Sequence, residues 1–250
     1  MGSALVRGLL GAGWDRSAMS IAEARAERRA ELADELPGVA VAADVSGADG
    51  AVVAVKPADA EAACRALTEQ AVGRVLSIMA GVTIGRLESW LGPQTAVVRA
   101  MPNTPATIGA GMSAVAGGSR AGEADLAWAE EILGSVGQVV RLPEASLDAV
   151  TGLAGSGPAY VFLVAEALIA AGVEVGLTPE TSRLLTVQTL AGSAQLLAQS
   201  GESPESLRAQ VTSPGGTTEA GVETLERRGI GAAFAEAVAR ATERSRELGR

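Results

Sequence analysis

The chain has 250 residues, with no histidine, one cysteine, three Trp, one Tyr and two Phe. Without histidine there is no Ser-His-Asp triad, no imidazole acid or base and no His-ligated metal, and a single cysteine forms no intrachain disulfide, which is typical of a reducing compartment. A formal net charge of −9 argues against a nucleic-acid partner, and so few aromatic side chains make a poor platform for base stacking.

No targeting or membrane signal is evident in the residue pattern. The N-terminus lacks a basic region followed by an apolar core, and the long uncharged stretches contain Gly and polar residues. We therefore expect a cytoplasmic protein without a membrane partner. With no histidine and one cysteine, we also expect no metal site and a chemistry that depends on a borrowed cofactor.

The first half of the chain alternates β-like and helix-like segments. In chain order, we expect a helix near Leu5–Leu10, a strand at Ala18–Ala22, a helix at Glu23–Leu36, strands at Val39–Ala42 and Ala51–Val55, a helix from Pro57, a strand at Val75–Met79, a helix at Ile84–Leu91, strands at Ala96–Ala100 and Met112–Ala116, a helix near Glu123–Leu133 and a strand at Gln138–Arg141. This βαβα order predicts a parallel sheet with helices on both faces.

The character of the sequence changes from Ser146 onward, where helix-like segments follow one another without a comparable β-like run. The expected helices are Pro158–Ala171, Pro179–Ser200, Pro204–Val211, Thr217–Arg228 and Ala232–Leu248. We place a domain boundary near Pro143-Glu144. The sequence thus predicts an α/β nucleotide-binding domain over residues 1–143 and an all-helical domain over residues 144–250.

The opening of the chain departs from the usual pattern of a doubly wound domain. Such a domain starts with a strand and a G-x-G-x-x-G turn, whereas this chain opens Met1-Gly2-Ser3-Ala4-Leu5, already in a helix-like segment. We expect a Rossmann-like α/β domain that lacks the first strand. A start codon assigned at an internal Met is our preferred explanation, and a genuine truncation would predict a damaged cofactor site.

Four motifs occur together in this chain. Ala54–Pro57 closes a buried strand, Met101–Pro105 follows another, Thr151–Tyr160 precedes a long helix, and Ser213–Thr218 opens a helix. This set resembles the pyrroline-5-carboxylate reductases over nearly the whole chain. The resemblance implies that NAD(P)H reduces the C=N bond of 1-pyrroline-5-carboxylate to L-proline, the last step of proline biosynthesis. It also implies a Rossmann domain, an all-α dimerisation domain, and homodimers that can assemble into decamers.

The expected cofactor, NADPH or NADH, belongs to the first domain. Loops at the carboxyl ends of parallel strands are where open α/β sheets bind ligands, and Lys56 and Asn103 stand in such loops; an ordinary surface lysine and a turn cap are the competing interpretations. By resemblance, Ala54, Val55, Lys56, Pro57 and Ala80 contact the cofactor and Asn103 lies close to it. Met1, Gly2 and Glu23 complete the cofactor-binding residues that we predict.

Glu23 follows Gly2 at about the spacing at which such folds place the acid that binds the ribose hydroxyls. The competing interpretation is an acidic residue in the first turn of a helix, where the helix dipole favours it. The carboxylate of Glu23 would repel the 2′-phosphate of NADPH, whereas Arg25 would attract it. The choice between NADPH and NADH stays open at this point.

The glycine-rich segment before the predicted helix Thr217–Arg228 has the features of a carboxylate site. We expect Gly215 and Gly216 to expose backbone N–H groups at a helix N-terminus; a capping turn without a ligand is the competing interpretation. By resemblance, the substrate contacts Glu144, Gln210, Ser213, Gly215, Gly216, Thr217 and Thr218. Relatives often have Asn where Gln210 stands.

Thr218 is the catalytic residue that the resemblance implies, because in the family it hydrogen-bonds the ring nitrogen. A cyclic imine is basic enough to be protonated near neutrality, and its iminium form accepts hydride directly. We therefore expect Thr218 to orient the substrate or to relay a proton through water, while the cofactor supplies the hydride.

Two other functions remain open from the residues. A β-hydroxyacid-type dehydrogenase needs a lysine on the early helix of its second domain, but Ala154–Ala171 contains none and Lys56 is the single lysine of the chain. A non-catalytic relative that keeps the helical dimer but has lost cofactor binding fits the unusual opening at Met1. Binding of NADPH and NADH to the 250-residue chain distinguishes such a protein from an enzyme.

Overall fold

A computed structural model describes residues 1–44 and 47–249 of the chain. These residues divide into two compact units, one of Met1–Ser156 with the C-terminal residues from Ala239, the other of Gly157–Val238. This division differs from the predicted boundary near Pro143-Glu144, which stays a prediction.

The observed elements follow the predicted order, with ends shifted by a few residues. The helices are α1 (Gly2–Gly11), α2 (Ala26–Glu35), α3 (Ala60–Glu69), α4 (Ile84–Leu91), α5 (Glu123–Gly134), α6 (Leu147–Val150), α7 (Gly157–Glu174), α8 (Pro179–Ser200), α9 (Pro204–Gln210), α10 (Thr217–Arg227) and α11 (Ile230–Leu248). The strands are β1 (Ser20–Ala22), β2 (Ala40–Ala42), β3 (Gly50–Val53), β4 (Arg74–Ser77), β5 (Ala96–Met101), β6 (Gly111–Gly117) and β7 (Gly137–Arg141).

The described strands form two sheets rather than one. Strands β1 and β2 pair in parallel by themselves, and the other five have the order β3-β4-β5-β6-β7. Within the larger sheet, β6 is antiparallel to β5, whereas all other neighbours are parallel. The prediction of a fully parallel sheet is therefore wrong at β5–β6, because the segment between Met101 and Gly111 is too short for a crossover helix. The predicted fold class, a Rossmann-like α/β domain followed by helices, is confirmed.

The core of the first unit lies on both faces of the larger sheet. Val75 and Val97 point to the face covered by α3 and α4, while Leu76 and Val98 point to the face covered by α1 and α5. Neighbouring strand residues alternate between faces, so a strand buried on both sides is continuously apolar. Burial also raises the pKa of the Cys64 thiol to about 11, which makes this cysteine a packing residue.

In the second unit, α7 and α8 pack against each other and still leave much apolar surface open. The exposed aliphatic and aromatic side chains of these two helices, together called the apolar face, are Val161, Phe162, Leu163, Leu168, Leu184, Leu185, Val187, Leu196 and Leu197. Surfaces of this kind mark sites of association. The sequence analysis anticipated a helical dimer, and this face is the part of the second unit suited to it.

One stretch, Glu144–Glu174, is long and apolar enough to cross a membrane by length and composition, with a mean hydropathy of 1.6 in its most apolar window. Length and composition alone do not assign a membrane span, so the expected absence of a membrane partner stays a prediction. Pro158 does not interrupt the stretch because it lies in the first turn of α7, where the missing N–H of proline is tolerated. A helix that packs against a second subunit meets the same criterion.

Candidate active site

Three loops leave the larger sheet at one edge. Strands β3, β4 and β5 run parallel and in register, so their carboxyl ends lie side by side. The loops that follow are Ala54–Pro57, Met79–Gly81 and Met101–Thr104. Ala54 to Pro57 and Ala80 are exposed. The expectation that these segments follow the carboxyl ends of parallel strands at one edge of the sheet is confirmed, and ligand binding at this edge stays a prediction.

The N-terminus of α1 lies at the same edge. A Cβ atom added to Gly2 would stand 3.3 Å from the Cβ of Ala54, so the first turn of α1 packs directly beside the end of β3. The carbonyl of Met1 accepts hydrogen bonds from the N–H groups of Ala4 and Leu5. The amides of Gly2 and Ser3, the first two residues of α1, precede these bonds and have no carbonyl partner within the helix, and such a terminus favours anions. This position fits a phosphate group of a dinucleotide.

Glu23 follows β1, where its backbone N–H donates to the Ala42 carbonyl at 3.0 Å. Its carboxylate accepts hydrogen bonds from the backbone N–H of Arg25 at 3.0 Å and from the Arg25 guanidinium at 3.3 Å. These bonds, the backbone one foremost, hold the pKa of Glu23 below its ordinary value. The Arg25 side chain is 76% exposed. An ionised acid and an accessible cation therefore stand together at the end of β1.

Asn103 joins two segments of the first unit through its side-chain amide. Its Oδ1 accepts a hydrogen bond from the Met112 N–H at 2.8 Å, and its Nδ2 donates to the Ala154 carbonyl at 3.1 Å. Ala154 belongs to a π-helical turn, Thr151–Gly155, that precedes α7. A side-chain amide has two N–H donors and its oxygen has two lone pairs, so these two bonds leave hydrogen-bonding capacity for a ligand. The cofactor contact of Asn103 stays a prediction.

Glu144 is held by two donors in the first unit. Its Oε1 accepts from the Arg99 guanidinium at 2.9 Å and from the N–H of Ile84, the first residue of α4, at 2.7 Å. The Arg99 side chain is 6% exposed and that of Glu144 is 33% exposed. Glu144 therefore neutralises a buried cation and caps a helix. Its predicted substrate contact is untested by this geometry.

The glycine-rich loop of the second unit is a tight turn. The N–H of Gly216 donates to the Ser213 carbonyl at 3.0 Å, Pro214 occupies the second position, and Gly215 has φ +71°. These are the features of a type II turn, whose third position favours glycine because a Cβ is unfavourable at positive φ. Gly216 is then the N-cap of α10.

The second glycine amide of this loop is also engaged. The N–H of Gly215 donates to the Glu219 carboxylate at 2.7 Å. The expectation that both glycines expose N–H groups is therefore wrong, because the turn and Glu219 use them. Thr217 and Thr218, the first two residues of α10, carry amides without a carbonyl partner in the helix. The side chains of Ser213 and Thr218 are exposed.

Gln210 ends α9, and its side-chain amide donates to the carboxylate of Glu202. Its substrate contact likewise stays a prediction. Within residues 1–44 and 47–249, no group of three or more Cys, Asp or Glu side chains could hold a metal ion.

Two residues of these sites were not singled out by the sequence analysis. Arg99 was detectable as a lone cation within the apolar strand Ala96–Met101. Glu219 was detectable as the third residue after the start of a helix, the position of the acid in a capping box. Both contacts depend on bonds that a motif does not specify.

Two family models match this chain. One, described as pyrroline-5-carboxylate reductase dimerisation, covers residues 144–248. The other, described as NADP oxidoreductase coenzyme F420-dependent, covers residues 1–81.

Similar proteins are themselves named pyrroline-5-carboxylate reductase. A pyrroline-5-carboxylate reductase of Synechocystis sp. is 49% identical over 176 residues, which cover 70% of this chain and 66% of that protein. Another, from Pseudomonas aeruginosa, is 39% identical over 99% of this chain and 93% of that protein.

Solved structures agree over the full length. A pyrroline-5-carboxylate reductase from Coxiella burnetii has a TM-score of 0.93 at 34% identity and covers 100% of this chain and 95% of its own. The Plasmodium falciparum pyrroline carboxylate reductase, solved with NADP bound, has a TM-score of 0.86 at 29% identity, with the same coverage. Because the likeness extends through both units at this level of identity, the chain belongs to the pyrroline-5-carboxylate reductase family.

Proposed function

We propose that this chain uses NADPH or NADH to reduce the C=N bond of 1-pyrroline-5-carboxylate to L-proline, and that it does so in the cytoplasm. Family membership supports an NAD(P)H-dependent oxidoreductase that acts on a C=N bond. The observation that carries the substrate assignment is the Ser213–Thr218 turn, where a backbone amide already holds a carboxylate. Failure of the 250-residue chain to bind either cofactor would favour the non-catalytic alternative.

The first unit would hold the cofactor. The first-turn amides of α1, beside Ala54, suit its phosphates, and Glu23 with Arg25 suits the ribose of its adenosine half. The predicted contacts of Met1, Gly2, Val55, Lys56, Pro57 and Ala80 belong to the same proposal. When bound, NAD(P)H supplies the hydride.

The second unit would hold the substrate through the turn and the start of α10. The amides of Thr217 and Thr218 can donate to the substrate carboxylate, and the helix N-terminus favours its negative charge. The exposed hydroxyl of Thr218 can form a hydrogen bond with the ring nitrogen of the substrate, as donor or as acceptor. Ser213 adds a second exposed hydroxyl. Orientation is the task of these groups, since the protonated imine needs no strong acid.

Thr218→Ala is expected to lower kcat by roughly 10-fold to 100-fold, because the ring nitrogen loses the hydroxyl that orients it. The Kd for NADPH should stay within about twofold, since Thr218 belongs to the other unit. Steady-state turnover and a fluorescence titration of NADPH measure the two quantities. Thr224→Ala removes a hydroxyl that bonds within the same helix and should leave kcat unchanged. Wild-type turnover in Thr218→Ala would refute the catalytic assignment.

Arg25→Ala is expected to raise the KM for NADPH roughly tenfold and to leave the KM for NADH nearly unchanged. Only NADPH carries the 2′-phosphate that an exposed guanidinium can bind. Arg28→Ala is the matched control, because the Arg28 guanidinium bonds to Glu31 and Glu35. An equal change in both KM values would show that Arg25 does not select the cofactor.

We also propose that the chain forms a homodimer through the apolar face of α7 and α8, and that dimers can associate into decamers. The match of residues 144–248 to a dimerisation region supports a homo-oligomer. The exposed side chains of that face provide the apolar area that an obligate interface buries.

A further inference from the structure

Glu219 occupies a backbone donor of the turn that we assign to the substrate. Its carboxylate accepts the Gly215 N–H at 2.7 Å, and its side chain is half-buried. Glu219 is the third residue of α10, so its charge lies at the same helix terminus that would receive the substrate carboxylate. Two anions would therefore compete for one terminus.

We propose that Glu219 is a specificity-determining residue: a built-in carboxylate that the substrate's carboxylate must displace from the Gly215 N–H. This inference rests on the proposed function. A single N–H makes one strong charge-assisted bond, so a substrate carboxylate gains this donor only when Glu219 leaves it. A ligand without a carboxylate cannot replace Glu219 as the acceptor of the Gly215 N–H. Glu219 would thus lower the affinity for ligands that bring a carboxylate and leave the affinity for ligands without one unchanged, which sets how strongly the site discriminates between them.

A cleft beside Glu219 can receive its side chain after displacement. Glu219 lines a cleft of about 340 Å³ between α9 and α10, together with Arg208, Thr212 and Glu223. The Arg208 guanidinium lies in this cleft, 3.0 Å from the Glu226 carboxylate. A second carboxylate that turned into the cleft would meet this cation and the Thr212 side chain. Since Glu205, Glu223 and Glu226 line the same cleft, Glu219 would share this cation with other carboxylates, which favours its return to the Gly215 N–H when no ligand is bound.

The test compares Glu219→Ala with Glu223→Ala in the full chain. Both variants remove one carboxylate from the same helix and the same cleft, but only Glu219 bonds to Gly215. We expect Glu219→Ala to lower the KM for pyrroline-5-carboxylate and the inhibition constant of L-proline by about 3-fold to 10-fold. The KM for 1-pyrroline, which lacks the carboxylate, should not change. Glu223→Ala should match the wild type in all three constants.

Glu219 has a competing role as a helix cap, and the same experiment separates the two. If Glu219 only orders the turn, its removal lowers the thermal midpoint and leaves KM unchanged or higher, which would overturn the inference. Glu219→Gln keeps the size of the side chain and serves if the alanine variant does not fold; it should lower KM in the same direction. Wild-type turnover with unchanged KM in the variants rejects this inference alone. A wild-type chain without reductase activity rejects the proposed function as well.

Discussion

Glu144→Ala is expected to lower the free energy of unfolding by about 3 kcal/mol, because it leaves the buried Arg99 guanidinium without its carboxylate. The same change removes the acceptor for the Ile84 N–H at the start of α4. We take the lower end of the range known for broken buried ion pairs, since the Glu144 side chain is 33% exposed. In a chain of this size the thermal midpoint should fall by roughly 6 to 12 °C.

Thermal and urea unfolding of three variants measure this effect. Glu123→Ala, which removes an exposed partner of Arg141, should change stability by less than about 0.5 kcal/mol. Arg99→Leu combined with Glu144→Ala should recover much of the loss, because no buried charge remains unpaired. If Glu144→Ala kept wild-type stability and changed only the KM for the substrate, Glu144 would be a substrate contact and not a structural anchor.

Leu163→Arg is expected to convert the proposed homodimer into monomers at micromolar concentration. The Leu163 side chain is 65% exposed in the single chain and lies on the apolar face of α7 and α8. An arginine there would place an unpaired charge in an apolar interface, at a cost of several kcal/mol per subunit. The dimer dissociation constant should rise by about 10²-fold or more.

Light scattering coupled to size-exclusion chromatography measures the mass of the assembly. Ile108→Arg is the matched control: Ile108 is 82% exposed, belongs to the first unit, and should tolerate the same substitution without dissociation. A Leu163→Arg protein that keeps the wild-type mass would exclude this face as the interface. A protein that loses decamers but keeps dimers would assign the face to a higher level of assembly.

The lack of histidine is compatible with this chemistry. The protonated imine accepts hydride without an imidazole donor, and the residues proposed for the sites would bind through backbone amides, hydroxyls and one guanidinium. The polar groups proposed to bind the ligands therefore lie at strand ends and helix termini. Such groups are charged or polar at every physiological pH, in contrast to histidine.

The sequence by itself determined the order of elements, the two-part organisation and the family. Continuous apolar runs such as Val75–Met79 specify strands buried on both faces, and their position between helical segments specifies a Rossmann-like fold. Placement of the cofactor loops at one edge followed from parallel strands alone. The order of elements and the placement of these loops depend on local periodicity and on the rule that parallel strands end together, whereas the family follows from the resemblance of four motifs.

Only the tertiary structure decided what the polar groups do. The antiparallel β6, the bond from Gly215 to Glu219 and the pairing of Glu144 with Arg99 across 45 positions all depend on which donor meets which acceptor after folding. A motif predicts that a glycine amide or a carboxylate is present, but not whether the chain itself already satisfies it. Because buried and half-buried polar groups must find partners, the folded chain used several groups that the sequence had assigned to ligands.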